Sequence, residues 1–396
     1  MKLELVATAT FGLEAVVRRE IEALGYKIIK TEDGRVTYMG DERAAVRSNL
    51  WLRTADRVYI RMGEFHATTF EELFQQTKGI PWEDIIPVSG RFPVSGGSVK
   101  SVLHSVPACQ SIVNKAIAAR LGEFYCMDRL PETGAEYRIR FIAHKDNFLM
   151  LIDTSGAGLH KRGYRVSDVA APIKETLAAA LVQLSFYRKD RVLVDPCCGS
   201  GTIPIEAAMI ARNIAPGLSR NFACEDWEMI PEDIWKEEKK LAYEAADFES
   251  ELSITAMDID KRAVRAAKDN ADEAGVADDI DFICMDMNKW EPGAGIPKGV
   301  SKEERGVVIS NLPYGKRIGD DKSIRQIYRH LAELIKDCPN WSFFLITSDK
   351  ELEKFIDKET GRKADRRRKL YNGTIETQFY QYHGAKPEKS KKVNGD

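Results

Sequence analysis

The spacing of hydrophobic and polar positions changes along the chain, and each change marks an element. Leu3-Glu-Leu-Val-Ala-Thr alternates as a strand, Phe11 to Leu24 has helical spacing that ends at Gly25, and Tyr26-Lys-Ile-Ile-Lys and Arg35-Val-Thr-Tyr-Met return to strand character around Asp33-Gly34. These residues predict a small α+β unit over 1–60. A second unit, 61–165, follows the strand Arg57-Val-Tyr-Ile-Arg, with a helix near Thr69 to Thr77, another from Pro107 to Leu121, and a hairpin of Tyr137-Arg-Ile-Arg-Phe-Ile-Ala and Asn147-Phe-Leu-Met-Leu-Ile-Asp.

Beyond residue 165 the period switches to strand, turn and helix in repetition. An Ala- and Leu-rich helix from Ala171 to Leu184 opens this region, and the strands read Arg191-Val-Leu-Val-Asp, Ser253-Ile-Thr-Ala-Met-Asp, Ile280-Asp-Phe-Ile-Cys-Met-Asp, Gly306-Val-Val-Ile-Ser and Ser342-Phe-Phe-Leu-Ile-Thr-Ser. Short apolar strands separated by helices predict an α/β domain over 166–384, with a parallel sheet covered on both faces and its ligands at the carboxyl ends of the strands. The Lys-rich, aperiodic stretch 385–396 reads as a disordered tail.

Composition narrows this picture. A chain of 396 residues exceeds one ordinary core, so two or three domains are expected. No apolar run is long enough to span a bilayer, and Met1-Lys-Leu-Glu-Leu-Val lacks the layout of a signal peptide, which predicts a cytoplasmic protein with no membrane contact. The seven cysteines, Cys109, Cys126, Cys197, Cys198, Cys224, Cys284 and Cys338, form no CxxC pair, and the six histidines have no ligand spacing, so neither disulfides nor a metal is expected. A net charge of −2 gives no overall attraction to polyanions, so any nucleic-acid surface must be local.

Two loops carry the candidate chemistry. In Val192-Leu-Val-Asp195-Pro-Cys-Cys-Gly199-Ser-Gly201-Thr202, the glycines follow a β-branched strand and precede an apolar helix, where missing side chains let a ligand approach the backbone. A dinucleotide fingerprint is incomplete here: Pro204 stands at the third glycine position, and the next acidic strand end, Asp258, lies 57 residues past Gly201, where about 20 is usual. No GxxxxGK follows, so the lysine of ATP hydrolysis is missing. Asp258 is placed for two ribose hydroxyls, Asp286 for an adenine amino group with Met287 against the ring, and Asp195 for the loop itself or the amino-acid part of a cofactor. A single carboxylate at a strand end can simply cap the next helix, but three in succession beside a glycine turn point to a nucleoside-bearing ligand.

The second loop is Ser310-Asn311-Leu312-Pro313-Tyr314-Gly315. An exocyclic purine amine is a poor nucleophile because its lone pair is delocalised, and two acceptors on its N–H bonds draw the nitrogen toward a tetrahedral geometry. The side-chain oxygen of Asn311 and the carbonyl of Leu312 can accept, Pro313 restricts Leu312 to extended backbone, and Tyr314 offers a face for an extruded base. An electrophile already activated as a sulfonium needs positioning more than a metal or a strong base. A catalytic thiol at Cys197 or Cys198 is the alternative chemistry, against small side chains that merely pack.

Residues 165–384 resemble the class I S-adenosylmethionine-dependent methyltransferases of the amino-methylating branch, whose fold is Rossmann-like. The whole chain is similar to the THUMP-domain RNA guanine-N2 methyltransferases, especially the bacterial group acting on large-subunit ribosomal RNA. The resemblance rests on Leu159-His-Lys-Arg-Gly-Tyr-Arg165, Ala171-Pro-Ile-Lys-Glu-Thr-Leu-Ala178, Val194-Asp-Pro-Cys-Cys-Gly-Ser-Gly-Thr202, Asp258-Ile-Asp260, Asn311-Leu-Pro-Tyr-Gly315 and Lys369-Leu-Tyr-Asn-Gly373. It implies a ferredoxin-like lead-in over 1–60, a THUMP RNA-binding module over 61–165, and cofactor positions at Thr176, Asp195, Gly199, Gly201, Asp258 and Asp286. Leu312 stands where proline is commoner, and Lys316 where an acidic residue is frequent, which leaves the target nucleotide open.

Lys161, Arg162 and Arg165 near the domain junction, and Arg366, Arg367 and Arg368 near the far end, are candidate phosphate contacts beside Tyr164 and Tyr371, though charge runs also serve as solvated faces. Trp227 and Trp235 read as packing anchors. The expectation is methyl transfer from S-adenosylmethionine to guanosine N2 of ribosomal RNA by a monomer or homodimer. Transfer RNA, adenine N6, and a non-catalytic assembly factor are the alternatives.

Overall fold

The computed structural model describes residues 1–167, 172–297, 299–313 and 321–386, and these form two units. One comprises Met1–Arg162 with Ala215–Ala245; the other comprises Gly163–Ile214 with the chain from Ala246 onward.

The first unit begins β1 (Leu3–Ala9), α1 (Glu14–Ala23), β2 (Ile28–Glu32), β3 (Arg35–Gly40), α2 (Glu42–Trp51) and β4 (Ala55–His66). It continues α3 (Phe70–Lys78), β5 (Val94–Val99), α4 (Val106–Tyr125), β6 (Ile139–His144) and β7 (Asn147–Asp153). Helix starts are chemically marked: Asp41 accepts from the Ala44 N–H, and Thr69 and Glu72 form a reciprocal capping box. The sheet order is β2-β3-β1-β4-β7-β6-β5. Its centre is β4, which pairs with β1 up to Ile60 and with β7 from Tyr59 to His66. The two pieces expected on either side of residue 60 therefore share one sheet.

The second unit opens with α5 (Glu175–Leu184), β8 (Leu193–Asp195) and α6 (Thr202–Ala211). The chain then leaves for the first unit, where α7 (Glu232–Glu244) lies. Phe222, Cys224, Trp227, Ile230 and Trp235 join the same buried core as the strand residues Leu5, Val58 and Phe141. Trp227 stacks on Tyr137 with ring centroids 4.7 Å apart, and Trp235 on Phe222 at 5.6 Å. Both tryptophans are packing anchors.

The chain resumes with β9 (Ile254–Asp258), α8 (Lys261–Glu273), β10 (Ile280–Cys284), β11 (Val307–Asn311), α9 (Asp321–Asp337), β12 (Ser342–Thr347), α10 (Glu351–Thr360), β13 (Arg366–Asn372) and β14 (Ile375–Tyr382). The order is β10-β9-β8-β11-β12-β14-β13. Five strands are parallel, as expected, but β14 runs antiparallel to β12 and β13 antiparallel to β14. Asn372 faces Ile375 across a tight turn with Gly373 at φ +64°, so the Arg-rich segment is an edge strand of a hairpin. Growth of the sheet reverses between β8 and β11, and ligands of such sheets bind where neighbouring strands part at that switch. At the chain end, the Ala385 N–H is held by the Pro339 carbonyl; the rest of the expected tail, from 387, lies outside the described residues.

Candidate active site

A cavity of about 540 Å³ opens at the carboxyl tips of β8, β9 and β11. Its lining unites predicted residues from four separate stretches of sequence: Asp195 and Gly199, Asp258, Asp286 and Met287, and Asn311, Leu312 and Pro313. Sites for small ligands commonly span about 300–1,000 Å³.

The glycine turn is built by hydrogen bonds from the neighbouring strand. Asp258 accepts the Gly199 N–H at 3.0 Å on one oxygen and the Asp260 N–H at 2.9 Å on the other, so each oxygen keeps a lone-pair direction for a further donor. Gly199 and Gly201 take positive φ, +54° and +81°. Gly201 serves from behind the loop: a Cβ there would sit 2.8 Å from the Cβ of Ala267 on α8, so its role is close packing of loop on helix. Asp286 caps a short turn, accepting the Asn288 backbone and side-chain N–H groups at 3.0 Å. That leaves the buried Asn288 side-chain oxygen without a partner at the cavity wall.

Asp195 is 1% exposed and accepts from the Ser310 hydroxyl at 2.7 Å and the Cys197 N–H at 3.2 Å. Burial, more than the like charge of Asp258, pushes its carboxyl up to about 7 against those two donors. Burial also pushes the Cys197 and Cys198 thiols well up, which keeps them protonated and removes the thiolate that a covalent mechanism needs. On the other loop, the Leu312 N–H donates to Ile346 of β12 at 3.0 Å, so the Leu312 carbonyl hangs on an anchored peptide. Tyr314 and Lys316 lie outside the described residues.

Several expectations change. Thr176 is buried and is not among the residues lining the cavity, while Pro172 and Ile173 are. Arg162, expected at phosphate, is 3% exposed and donates to the carbonyls of Leu159 and Arg53, which satisfies a buried guanidinium within the fold. Arg165 braces the glycine loop: it pairs with Glu175 at 2.8 Å and reaches the hydroxyls of Ser200 and Thr202. Tyr164, expected beside RNA, is buried with its hydroxyl on Glu206. Lys161, Arg366 and Arg367 are exposed and Arg368 half-buried, and Arg367 already pairs with Glu353 at 2.6 Å. The sequence reading missed Ile259, an apolar residue 71% exposed between two aspartates at the cavity; that pattern was its only signal. It also missed Ser323, Gln326 and Ile327, whose i, i+3, i+4 spacing puts them on one face of α9.

Among the described residues, no group of three or more His, Cys, Asp and Glu could hold a metal ion, and no helix is long and apolar enough to cross a membrane. The strand order and the crevice at its switch define the class, a Rossmann-like methyltransferase domain carried with an α+β unit. Residues 162–381 match the family described as RMKL-like, methyltransferase domain, and the chain belongs to that family. Residues 4–59 match the RlmL ferredoxin-like domain and 67–153 the THUMP domain.

The chain is 47% identical to the putative RNA methyltransferase YpsC of Bacillus subtilis over 99% of both proteins. It is 30% identical to the ribosomal RNA large subunit methyltransferase K/L of Syntrophotalea carbinolica, over 96% of this chain but 53% of that longer protein. Among solved structures, SMU.472, a putative methyltransferase complexed with SAH, is similar at 41% identity and TM-score 0.89, covering 98% of this chain and 99% of that one.

Proposed function

We propose that this chain transfers a methyl group from S-adenosylmethionine to the exocyclic N2 amino group of a guanosine in 23S ribosomal RNA, in the cytoplasm. The observation that carries the reading is the shared cavity, in which Asn311, Leu312 and Pro313 meet the Asp195–Gly199 turn. The THUMP match and the names of the two relatives support RNA as the acceptor and, for the larger relative, ribosomal RNA. The complex of SMU.472 with SAH supports the donor.

The residues present suit such a donor. Asp258 has lone pairs left for a ribose diol, Ile259, Met287 and Ala263 give an apolar slot, and the unpartnered Asn288 oxygen and Asp286 can accept from an adenine amine. When bound, the donor supplies a methyl group on a positively charged sulfur. The chain's own work is at the acceptor. Asn311 and the Leu312 carbonyl accept the two N–H bonds of the base, localising its lone pair, and Pro313 with the Leu312–Ile346 hydrogen bond keeps that carbonyl in place.

The test is mass spectrometry of nucleosides from 23S ribosomal and transfer RNA, isolated with and without the gene and then incubated with purified protein and labelled S-adenosylmethionine. Label in N2-methylguanosine of 23S RNA is expected. Label in N6-methyladenosine would replace the base, label only in transfer RNA would replace the substrate, and none in any RNA would leave an RNA-binding factor.

A further inference from the structure

The main-chain ladder between β8 and β11 stops short of the catalytic loop. Its last pair is Val308 with Val194, whereas β11 stays paired to β12 through Asn311 and Ile346. That pair takes the Ile309 N–H to the Val194 carbonyl, and beyond it, among the described residues, β11 has no further main-chain pairing with β8, at the place where the two strands part to make the crevice. Here the fully buried Ser310 hydroxyl donates to Asp195 Oδ1 at 2.7 Å, and the same oxygen accepts the Cys197 N–H at 3.2 Å. One carboxylate oxygen thus holds both the first turn of the cofactor loop and the residue preceding Asn311.

We infer that Ser310 is a positioning residue that, through Asp195, fixes Asn311 relative to the glycine turn in place of the missing ladder bonds. This rests on the methyltransferase reading above. The bond is strong only while Asp195 is ionised, since charge-assisted hydrogen bonds are about twice as strong as neutral ones. Asp258 faces Asp195 from β9 with like charge, the uncharged Cys197 and Cys198 thiols share its turn, and the donors of Ser310 and Cys197 oppose the burial that lifts its carboxyl to about 7. Removing the Ser310 hydroxyl takes away a donor that favours the charged form, so Asp195 loses its charge, and with it the strength of its remaining bond to the Cys197 N–H, at a higher pH.

The experiment compares the full-length unaltered chain with Ser310→Ala, Ser310→Thr and Ser310→Val, using S-adenosylmethionine and 23S RNA from cells lacking the gene. Ser310→Ala is expected to lower kcat about 10- to 100-fold, to leave the RNA KM and the Kd for S-adenosylmethionine within about threefold, and to move the acid limb of the kcat profile to higher pH. Thr and Val have nearly the same shape and differ by the hydroxyl, so Thr should exceed Val in kcat even if the added methyl group costs stability in both. An unchanged kcat in Ser310→Ala, a fall with an unmoved acid limb, or equal rates for Thr and Val would overturn the inference. No methyl transfer to any RNA by the unaltered chain would overturn the reading beneath it, and that result is visible before any variant is compared.

Discussion

Asp195 meets two opposed demands at one atom. Catalysis as proposed needs it ionised, because it then grips Ser310 and the Cys197 N–H; burial disfavours the charge and holds the carboxyl at about 7. A carboxyl raised in the folded state stabilises fully below its unfolded value near 3.8, and this contribution is lost as pH rises through about 7. Asp195→Asn keeps an acceptor for Ser310 without the charge, so it should melt higher than the unaltered chain at pH 8, by about 1–4 kcal/mol, and match it near pH 4. Thermal melts at both pH values check this; a lower Tm at pH 8 would contradict it. Methyl transfer by the same variant should fall, a trade of activity for stability. Asn311 presents no such conflict. Asn311→Ala removes one of two acceptors on the amine and should lower kcat about 10²- to 10³-fold, the scale of losing one preorganised polar group at a reacting centre. The Kd for S-adenosylmethionine, measured by calorimetry, should stay within about threefold, since Asn311 is assigned to the base and not to the donor.

At the scale of elements, the glycine turn is specified by backbone geometry more than by contacts to a ligand. Gly201→Ala must adopt φ +81° and bring a Cβ to within 2.8 Å of that of Ala267, so it should cost about 2–4 kcal/mol in denaturant unfolding. Adding Ala267→Gly relieves the Cβ clash but costs about 1 kcal/mol inside α8, so it should recover only part of the packing loss and none of the conformational part. Such a turn was legible in the sequence because glycine, a preceding Val-Leu-Val strand and a following apolar helix each leave a local mark. Asp195 and Asp258 were legible for the same reason, each ending a periodic strand, and Asp286 lies two residues past the end of another. Other elements left no local mark. Val94-Ser-Gly-Gly-Ser-Val99 lacks apolar alternation, yet it forms β5 because Gly96 leaves room for the ring of Phe141, whose atoms would lie 2.4 Å from a Cβ there. Lys161-Arg162-Gly-Tyr164-Arg165 reads as one basic, aromatic patch, but the fold buries Arg162 on carbonyls, Tyr164 on Glu206, and Arg165 largely against Glu175 and Ser200. Those partners lie as far apart in sequence as Arg53 and Glu206. Charge patterning has no access to tertiary acceptors.

For the whole molecule, the decisive feature is that the first unit is built from two segments separated in sequence. The hydrophobic period changes near residue 165, which invites a cut there, but the segment Ala215–Ala245 returns to the first unit and completes its core. Phe222, Trp227, Ile230 and Trp235 are all buried there, and each such side chain is worth roughly 1.5–3 kcal/mol in transfer alone. A domain's net stability is only about 5–15 kcal/mol, so losing the segment removes a large part of what holds the unit folded. A fragment of residues 1–162 should therefore unfold at much lower urea than the intact chain, or fail to fold, and should bind a dye specific for exposed apolar surface. The peptide 215–245 added in trans should restore a cooperative transition and quench that dye, with Tyr137 and Trp227 again in stacking range. Within the intact chain, Trp227→Ala should cost about 3–5 kcal/mol. If the 1–162 fragment melts as cooperatively and as high as the full protein does, the segment is ornament on a finished core, and the cut at 165 is the true boundary after all.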